Sequence, residues 1–228
     1  MKRRVLVVDI GGTHVKLLMS LRDKREFDSG PKMKPADFVR KMKSTTAGWK
    51  FDTVSVGFPS VVRDGRVARD PKHLGRGWVG FDFSKALGRP VRVINDAAMQ
   101  ALGSYRGKRM LFLGLGTGLG SALILDGVLE PMELAHLPYK KGRTYEDCVG
   151  KAGMKRSGKK KWRRQVLDVI DRFRAALAVD DVVLGGGNAK LLKKLPAGVR
   201  LGANANAFVG GYRLWKTERV VRQLRPAR

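Results

Sequence analysis

The sequence predicts an α/β protein made of two related halves with a cleft between them. Strand-like runs recur along the chain, and several are apolar on both faces, the pattern of sheets covered by helices. Amphipathic helical stretches alternate with those runs. The stretch ending near Val93 and the stretch from Met110 to Gly127 repeat one plan: apolar strand, glycine-containing turn, second strand.

In chain order, strands are expected at 4–10 (RVLVVDI), 15–20, 53–59, 91–96, 110–116, 121–127 and 181–187. DGR at 64–66 and LDGVL at 125–129 read as turns. Helices are expected near 36–43, 97–105, 162–177 and 213–224. In the third, Trp162, Val166, Val169, Ile170, Phe173 and Leu177 recur at three- and four-residue steps and form one apolar face.

The chain has 228 residues, enough for one large or two small domains. Its 47 Lys+Arg against 20 Asp+Glu leave a net charge of +27. That excess exceeds what solubility needs and attracts polyanions: nucleic acid, anionic membrane or polyphosphate. Cys148 stands alone, which excludes an internal disulfide and a cysteine zinc cluster and fits a reducing cytoplasm. The apolar run Val5–Val8 meets Asp9 too soon to form a signal-peptide core. No stretch is long and apolar enough to span a bilayer.

Three glycine clusters each follow an apolar strand: DIGGT (9–13), GLGTGLG (114–120) and LGGGN (184–188). Glycine lets backbone approach a phosphate where a side chain would block it. The N–H groups of Gly11, Gly12 and Thr13, with the Thr13 hydroxyl and the Lys16 ammonium, can then hold an anion. Asp9 beside them would repel a bare phosphate. It makes sense with a magnesium ion between carboxylate and phosphate, held through water. Gly116, Thr117 and Gly118 can cradle phosphate in the same way, and Gly185, Gly186 and Gly187 let backbone approach a flat ligand. Each cluster alone also fits an ordinary turn.

The set, in this order and spacing, resembles the sugar kinases of the ROK family, within the actin/hexokinase/Hsp70 superfamily, and in particular the polyphosphate/ATP-dependent glucokinase branch. SVGFPS (55–60), GWVGFDFS (77–84), INDAAMQALG (94–103), MELAH (132–136) and NANAFVGGYRLW (204–215) fall where relatives carry similar strings, and 137–164 looks like a segment of that branch. The resemblance implies a two-domain actin/hexokinase-like (ribonuclease H-like) fold with the sugar in the cleft. One domain would cover 1–95 plus 213–228, the other 96–212. It implies transfer of a phosphoryl group from ATP or polyphosphate to the 6-hydroxyl of glucose or a related hexose, with magnesium, in a homodimer.

The resemblance also assigns residues. Asp96 matches the general base that takes the proton of the attacking hydroxyl. Asn95, Glu133 and His136 match sugar ligands, and Gly57, Pro59 and Ser60 would line the same pocket. Asp9, Gly11, Gly12, Thr13 and Lys16 match the first phosphate loop, Gly116, Thr117 and Gly118 the second, and Gly185, Gly186 and Gly187 the adenosine side. A helix cap at Asn95-Asp96 is the plainer reading of that pair. For His136 it is a core or surface histidine.

Departures are also visible. Ala135, His73, Ala98 and Met99 stand where relatives carry other residues, all near the sugar pocket, and the cysteine-rich zinc motif is absent, so structural zinc is not expected. Only eight residues precede Asp9, which argues against the DNA-binding module of the family's repressors. Segment 140–164 carries eleven Lys+Arg against Glu146 and Asp147. Lys159, Lys160, Lys161, Arg163 and Arg164 within it are the candidate polyphosphate track. The same charge, with Tyr139, Tyr145 and Trp162 as sparse stacking platforms, leaves the alternative of a non-catalytic polyanion- or nucleic-acid-binding protein on a kinase fold.

Overall fold

A computed structural model describes residues 3–203 and 205–216. Strand β1 (Val5–Ile10) pairs antiparallel with β2 (His14–Leu18), and β2 with β3 (Lys24–Asp28). After helix α1 (Pro35–Thr45), β4 (Thr53–Phe58) lies parallel to β1. The small hairpin β5 (Val62–Arg63) and β6 (Arg66–Val67) and helix α2 (Phe83–Leu87) precede β7 (Val91–Asn95), parallel to β4. Helix α3 (Asp96–Ser104) leads into a second sheet of β8 (Met110–Leu115), β9 (Leu119–Leu125) and β10 (Val128–Met132). The hairpin β11 (Pro138–Lys140) and β12 (Arg143–Thr144), helices α4 (Tyr145–Val149) and α5 (Lys151–Leu177), strands β13 (Asp181–Gly185) and β14 (Val199–Leu201), and helix α6 (Asn206–Arg213) complete the described chain.

The two sheets have the same topology. Their orders are β3-β2-β1-β4-β7 and β10-β9-β8-β13-β14. In each, three strands run as an antiparallel meander and two more add in parallel to the first. This is the actin/hexokinase-like architecture.

Strand periodicity explains the two-faced apolar runs. In β1, Leu6, Val8 and Ile10 pack outward with Phe38 and Met42 of α1, while Val5 and Val7 pack inward with α3. In β8, Leu111, Leu113 and Leu115 pack with Val166 and Phe173 of α5, while Met110 and Phe112 join the inner layer. Asp9 continues the Val5–Val7 row, so the same alternation turns its carboxylate inward.

Helices α3 and α6 lie in the inner layer and cross with their backbones in contact. A Cβ at Gly103 would overlap the Asn206 carbonyl, and one at Gly210 would overlap the Met99 carbonyl oxygen. The Arg213 guanidinium donates to the Leu102 and Tyr105 carbonyls at the end of α3 (2.6 and 3.1 Å). Ser55 of β4 donates to the Gly211 carbonyl at 2.6 Å, and Trp215 Nε1 donates to Ser55 Oγ at 2.9 Å. Helix α6 and Trp215 after it thus pack against the first sheet.

All seven expected strands are present. Strands β3, β10 and β14 and the short hairpins β5–β6 and β11–β12 were missed: KREFD is nearly all polar, and the others are short runs beside turns. The turns at Asp64-Gly65 and Asp126-Gly127 both have paired positive φ (50° and 71°; 50° and 81°), as two-residue hairpin turns require. Residues 151–177 are two helices joined by a kink at Gly158 (φ 76°): the second carries the expected 162–177 face and begins a few residues earlier, and the first, from Lys151, was not expected. The last described helix spans Asn206–Arg213 and 214–216 form a turn, while residues 217–224 of the helix expected at 213–224 lie outside the described residues. No described helix is long and apolar enough to cross a membrane.

Candidate active site

Strands β1, β4 and β7 are mutually parallel, so their C-terminal ends meet at one edge, where ligands bind in open α/β sheets. Asp9 pairs in register with Gly57, and Gly57 with Ile94, two residues before Asp96. A Cβ at Gly57 would overlap the Met99 side chain and stand 3.4 Å from Asp96 Cα. Glycine here lets α3 start directly against β4, which sets the Asp96 carboxylate beside that of Asp9.

Both residues are partly buried, and protein replaces much of the water around their carboxylates. Burial raises the Asp9 pKa, and the facing Lys16 ammonium partly offsets it. Asp96 is pushed up to about 7, first by burial and then by the Asp9 charge, with a smaller push from Glu133. Its hydrogen bond from Ala97 N (2.8 Å) pulls the other way. The helix cap is Asn95: its Oδ1 accepts from Ala98 N at 3.1 Å and its Nδ2 donates to Ser60 O at 3.3 Å. Capping therefore belongs to Asn95, and Asp96 is the first helical residue.

Each glycine loop spends part of its donor set on itself. Gly11 N donates to His14 O (2.9 Å) and Gly116 N to Gly118 O (3.1 Å). These two N–H groups, expected as anion donors, hold their own turns instead. Gly12, Thr13, Thr117 and Gly118 are left as the donors of the two loops. The third loop abuts the second: Asn188 Nδ2 donates to Gly116 O (3.1 Å) and Asn188 N to Leu115 O (3.0 Å). A cavity of about 750 Å³ opens between the lobes, with Asp9 and Lys16 on one side and Gly185, Gly186, Gly187 and Lys190 on the other. Its size suits a nucleotide-sized ligand.

Glu133 and His136 form a half-exposed pair, Oε2 to Nε2 3.4 Å. Glu133 is close enough to Asp96 to raise its pKa.

Residues 5–130 match the sequence profile of the ROK family, more than half of the chain. The chain belongs to the ROK family. It is 29% identical over 161 residues to a polyphosphate glucokinase of Mycobacterium tuberculosis, a match covering 64% of this chain and 60% of that one. The matched part is thus less than two thirds of that relative's length. Its fold is similar to the inorganic polyphosphate/ATP-glucomannokinase of Arthrobacter sp. strain KM, with TM-score 0.78 and 23% identity, covering 93% of this chain and 98% of that one. It is also similar to a ROK glucokinase of Streptomyces griseus, solved with glucose and AMPPNP, with TM-score 0.73 and 17% identity over 92% and 98% of the two chains.

Several supports of this ROK site were not found from sequence. Ser29 Oγ donates to Gly11 O (2.6 Å) and fixes the first loop. Buried Ser121 of β9 donates to Met132 O (2.8 Å) and accepts from Leu134 N (3.2 Å), bracketing Glu133. Glu146 Oε2 accepts from Leu119 N (3.2 Å), and a Cβ at Gly118 would overlap that carboxylate. The capping box Thr144–Asp147, which starts α4, was the available signal for where Glu146 would sit.

Helix α5 is anchored at both ends of its basic half. Lys151 N donates to Thr117 O of the second loop (3.1 Å), and Arg163 Nε donates to Leu191 O beyond the third (2.8 Å). Lys159, Lys160 and Lys161 are exposed between these anchors and Arg164 is exposed just past the second; Arg163 is half-buried and committed. Trp162 is fully buried and donates to Val149 O at 2.7 Å, while Tyr139 and Tyr145 stack on each other at 4.8 Å. These aromatics are packed into the protein and offer no stacking platform for bases.

Proposed function

We propose that this protein is a sugar kinase that moves a phosphoryl group from ATP or polyphosphate to the 6-hydroxyl of glucose or a related hexose. The observation that carries the reading is Asp96: a carboxylate with a pKa near 7, held beside Asp9 where three parallel strands end. A base poised there suits proton removal from an alcohol at neutral pH. A protein that only binds polyanions has no use for a desolvated pair of acids.

In this reading Glu133 and His136 grip the sugar ring, with Asn95 and Ser60 on the same side. As the bond from the sugar oxygen to phosphorus forms, the hydroxyl proton passes to Asp96. The bond from phosphorus to the bridging oxygen breaks, releasing ADP or a shortened chain. Gly12, Thr13, Thr117 and Gly118 donate to phosphate oxygens, and Lys16 balances their charge. Gly185–Gly187 lie along the cavity wall where an adenosine would rest.

Asp9 fits a magnesium ion. It is a desolvated carboxylate beside the Lys16 ammonium, at the C-terminal end of β1 where the first glycine loop begins. Magnesium takes one or two carboxylates and completes its shell with phosphate and water. When bound, it supplies neutralisation of the phosphate charge that builds during transfer.

The cations on α5 support polyphosphate as a donor. They start at the second loop and run toward the third, so a long chain can follow them where a triphosphate cannot. The homodimer is the arrangement the family resemblance implies. The test is glucose phosphorylation assayed in parallel with ATP and with polyphosphate. Turnover with neither donor would sink the reading. Retained binding of nucleic acid in that case would favour the alternative, a polyanion-binding protein.

A further inference from the structure

The segment 70–75 (DPKHLG) straps the first lobe beside the cleft and is pinned at both ends. Asp70 Oδ1 accepts from Gly77 N and Trp78 N (3.2 and 2.8 Å), and Trp78 is fully buried. Leu74 is buried, and Gly75 N donates to Met33 O at 3.0 Å. Between the pins, Lys72 and His73 face outward. His73 packs on the first glycine loop so tightly that a Cβ at Gly12 would stand 2.8 Å from its own Cβ. Lys72 reaches the other lobe, its Nζ 3.4 Å from Glu146 Oε1. The same carboxylate holds Leu119 N at the end of the second loop. Two neighbouring residues of one strap therefore touch the first phosphate loop and the support of the second.

We propose that Lys72 is a phosphate ligand supplied across the cleft, parked on Glu146 until a phosphoryl donor arrives. This rests on the kinase reading and adds a donor-binding side chain to it. The Lys72–Glu146 pair is two-thirds exposed on the lysine side, and such pairs are held by little energy. A phosphate placed between the two loops carries more charge than one carboxylate and lies in the span that Lys72 already crosses. The strap's pins fix the Lys72 backbone, so only its flexible stem has to swing. Charge develops on the leaving phosphate oxygen toward the transition state, which a mobile ammonium can follow. Lys16 on the first sheet and Lys72 on the strap then bring two cations to the same group, opposing the Asp9 charge.

The test compares the parent with Lys72→Ala and Lys72→Arg. Calorimetry with AMPPNP plus magnesium, with tripolyphosphate, and with glucose gives the three affinities, and steady-state assays give kcat. Lys72→Ala should weaken both donor probes by roughly 10- to 100-fold, the worth of a charge-assisted hydrogen bond, and lower kcat. Glucose affinity should stay within about twofold. Lys72→Arg should recover most of the donor affinity. Donor affinities unchanged in a folded Lys72→Ala protein, with the parent binding both probes, would overturn the Lys72 assignment alone. A loss of glucose affinity with donor affinity intact would overturn it too, by placing Lys72 on the acceptor side. A parent that binds neither donor probe would bring down the kinase reading, and this assignment with it.

Discussion

Asp9 and Asp96 stand at the ends of two parallel strands with only Gly57 of the strand between them, and the charge of Asp9 helps hold the Asp96 proton. Two acids sharing one desolvated corner are a poor choice for stability. They are a good choice for separating a metal-facing carboxylate from a base.

Asp96→Asn should cut turnover by about two to four orders of magnitude, the usual worth of a general base. It should also stabilise the protein at pH 8. The folded state binds the Asp96 proton more tightly than the unfolded chain, so this group costs stability progressively as pH rises from 3.8 to about 7. The shift corresponds to at most about 4 kcal/mol. Thermal melts should show the variant above the parent at pH 8 and the two converging near pH 4. A folded variant with turnover within about threefold of the parent would refute the role.

The pH profile of kcat/KM should rise through the Asp96 pKa, near 7, and level off above it. Asp9→Asn removes a neighbouring negative charge, so the Asp96 pKa should fall. Carboxyl carbon shifts followed by NMR across pH would report it without needing activity. An unchanged midpoint would mean that the Asp9 charge does not contribute to the value.

Asp9→Asn should weaken the magnesium response far more than glucose binding. Calorimetric glucose affinity should stay near that of the parent while the magnesium concentration for half-maximal rate rises. Collapse of glucose affinity with an unchanged magnesium response would put Asp9 on the wrong substrate.

Replacing Lys159, Lys160 and Lys161 together with alanine should raise KM for long polyphosphate and flatten its salt dependence, because fewer counterions are released on binding. KM for ATP should barely move. Equal losses with both donors would mark the segment as structural.

Ser121→Ala should raise KM for glucose by about tenfold through loosened placement of Glu133, with kcat changed much less. An equal fall in kcat with unchanged KM would show that Ser121 serves another part of the site.

What was legible in the sequence was what repeats locally. Asp9 stood out because it broke an apolar run at its end, and the alternation of Val5 and Val7 set the face it shares. The face of α5 was legible for the same reason. Trp162 belonged both to that face and to a basic run with aromatics, and burial decided for the face because Val166, Val169 and Phe173 follow it at helical steps. The contacts of Ser29, Ser121, Glu146 and Asn188 were not legible. Each acts on backbone far away in sequence, as Glu146 does on Leu119, and no local period marks such a partner. The consumed donors at Gly11 and Gly116 were hidden too, since a glycine's letter does not say where its N–H points.

Where α3 and α6 cross at Gly103 and Gly210, main chain lies on main chain. Meshed side chains behave like gear teeth, and one helix must climb over the other to turn. Two bare backbones form a plain bearing instead. The crossing lies between the two sheets and is tied by the Arg213 guanidinium to the Leu102 and Tyr105 carbonyls, so any turn about it must also shift those bonds. A methyl group at either glycine would jam that bearing by forcing the helices apart. It would alter how far the jaws can shut long before it touched a residue that handles sugar or phosphate.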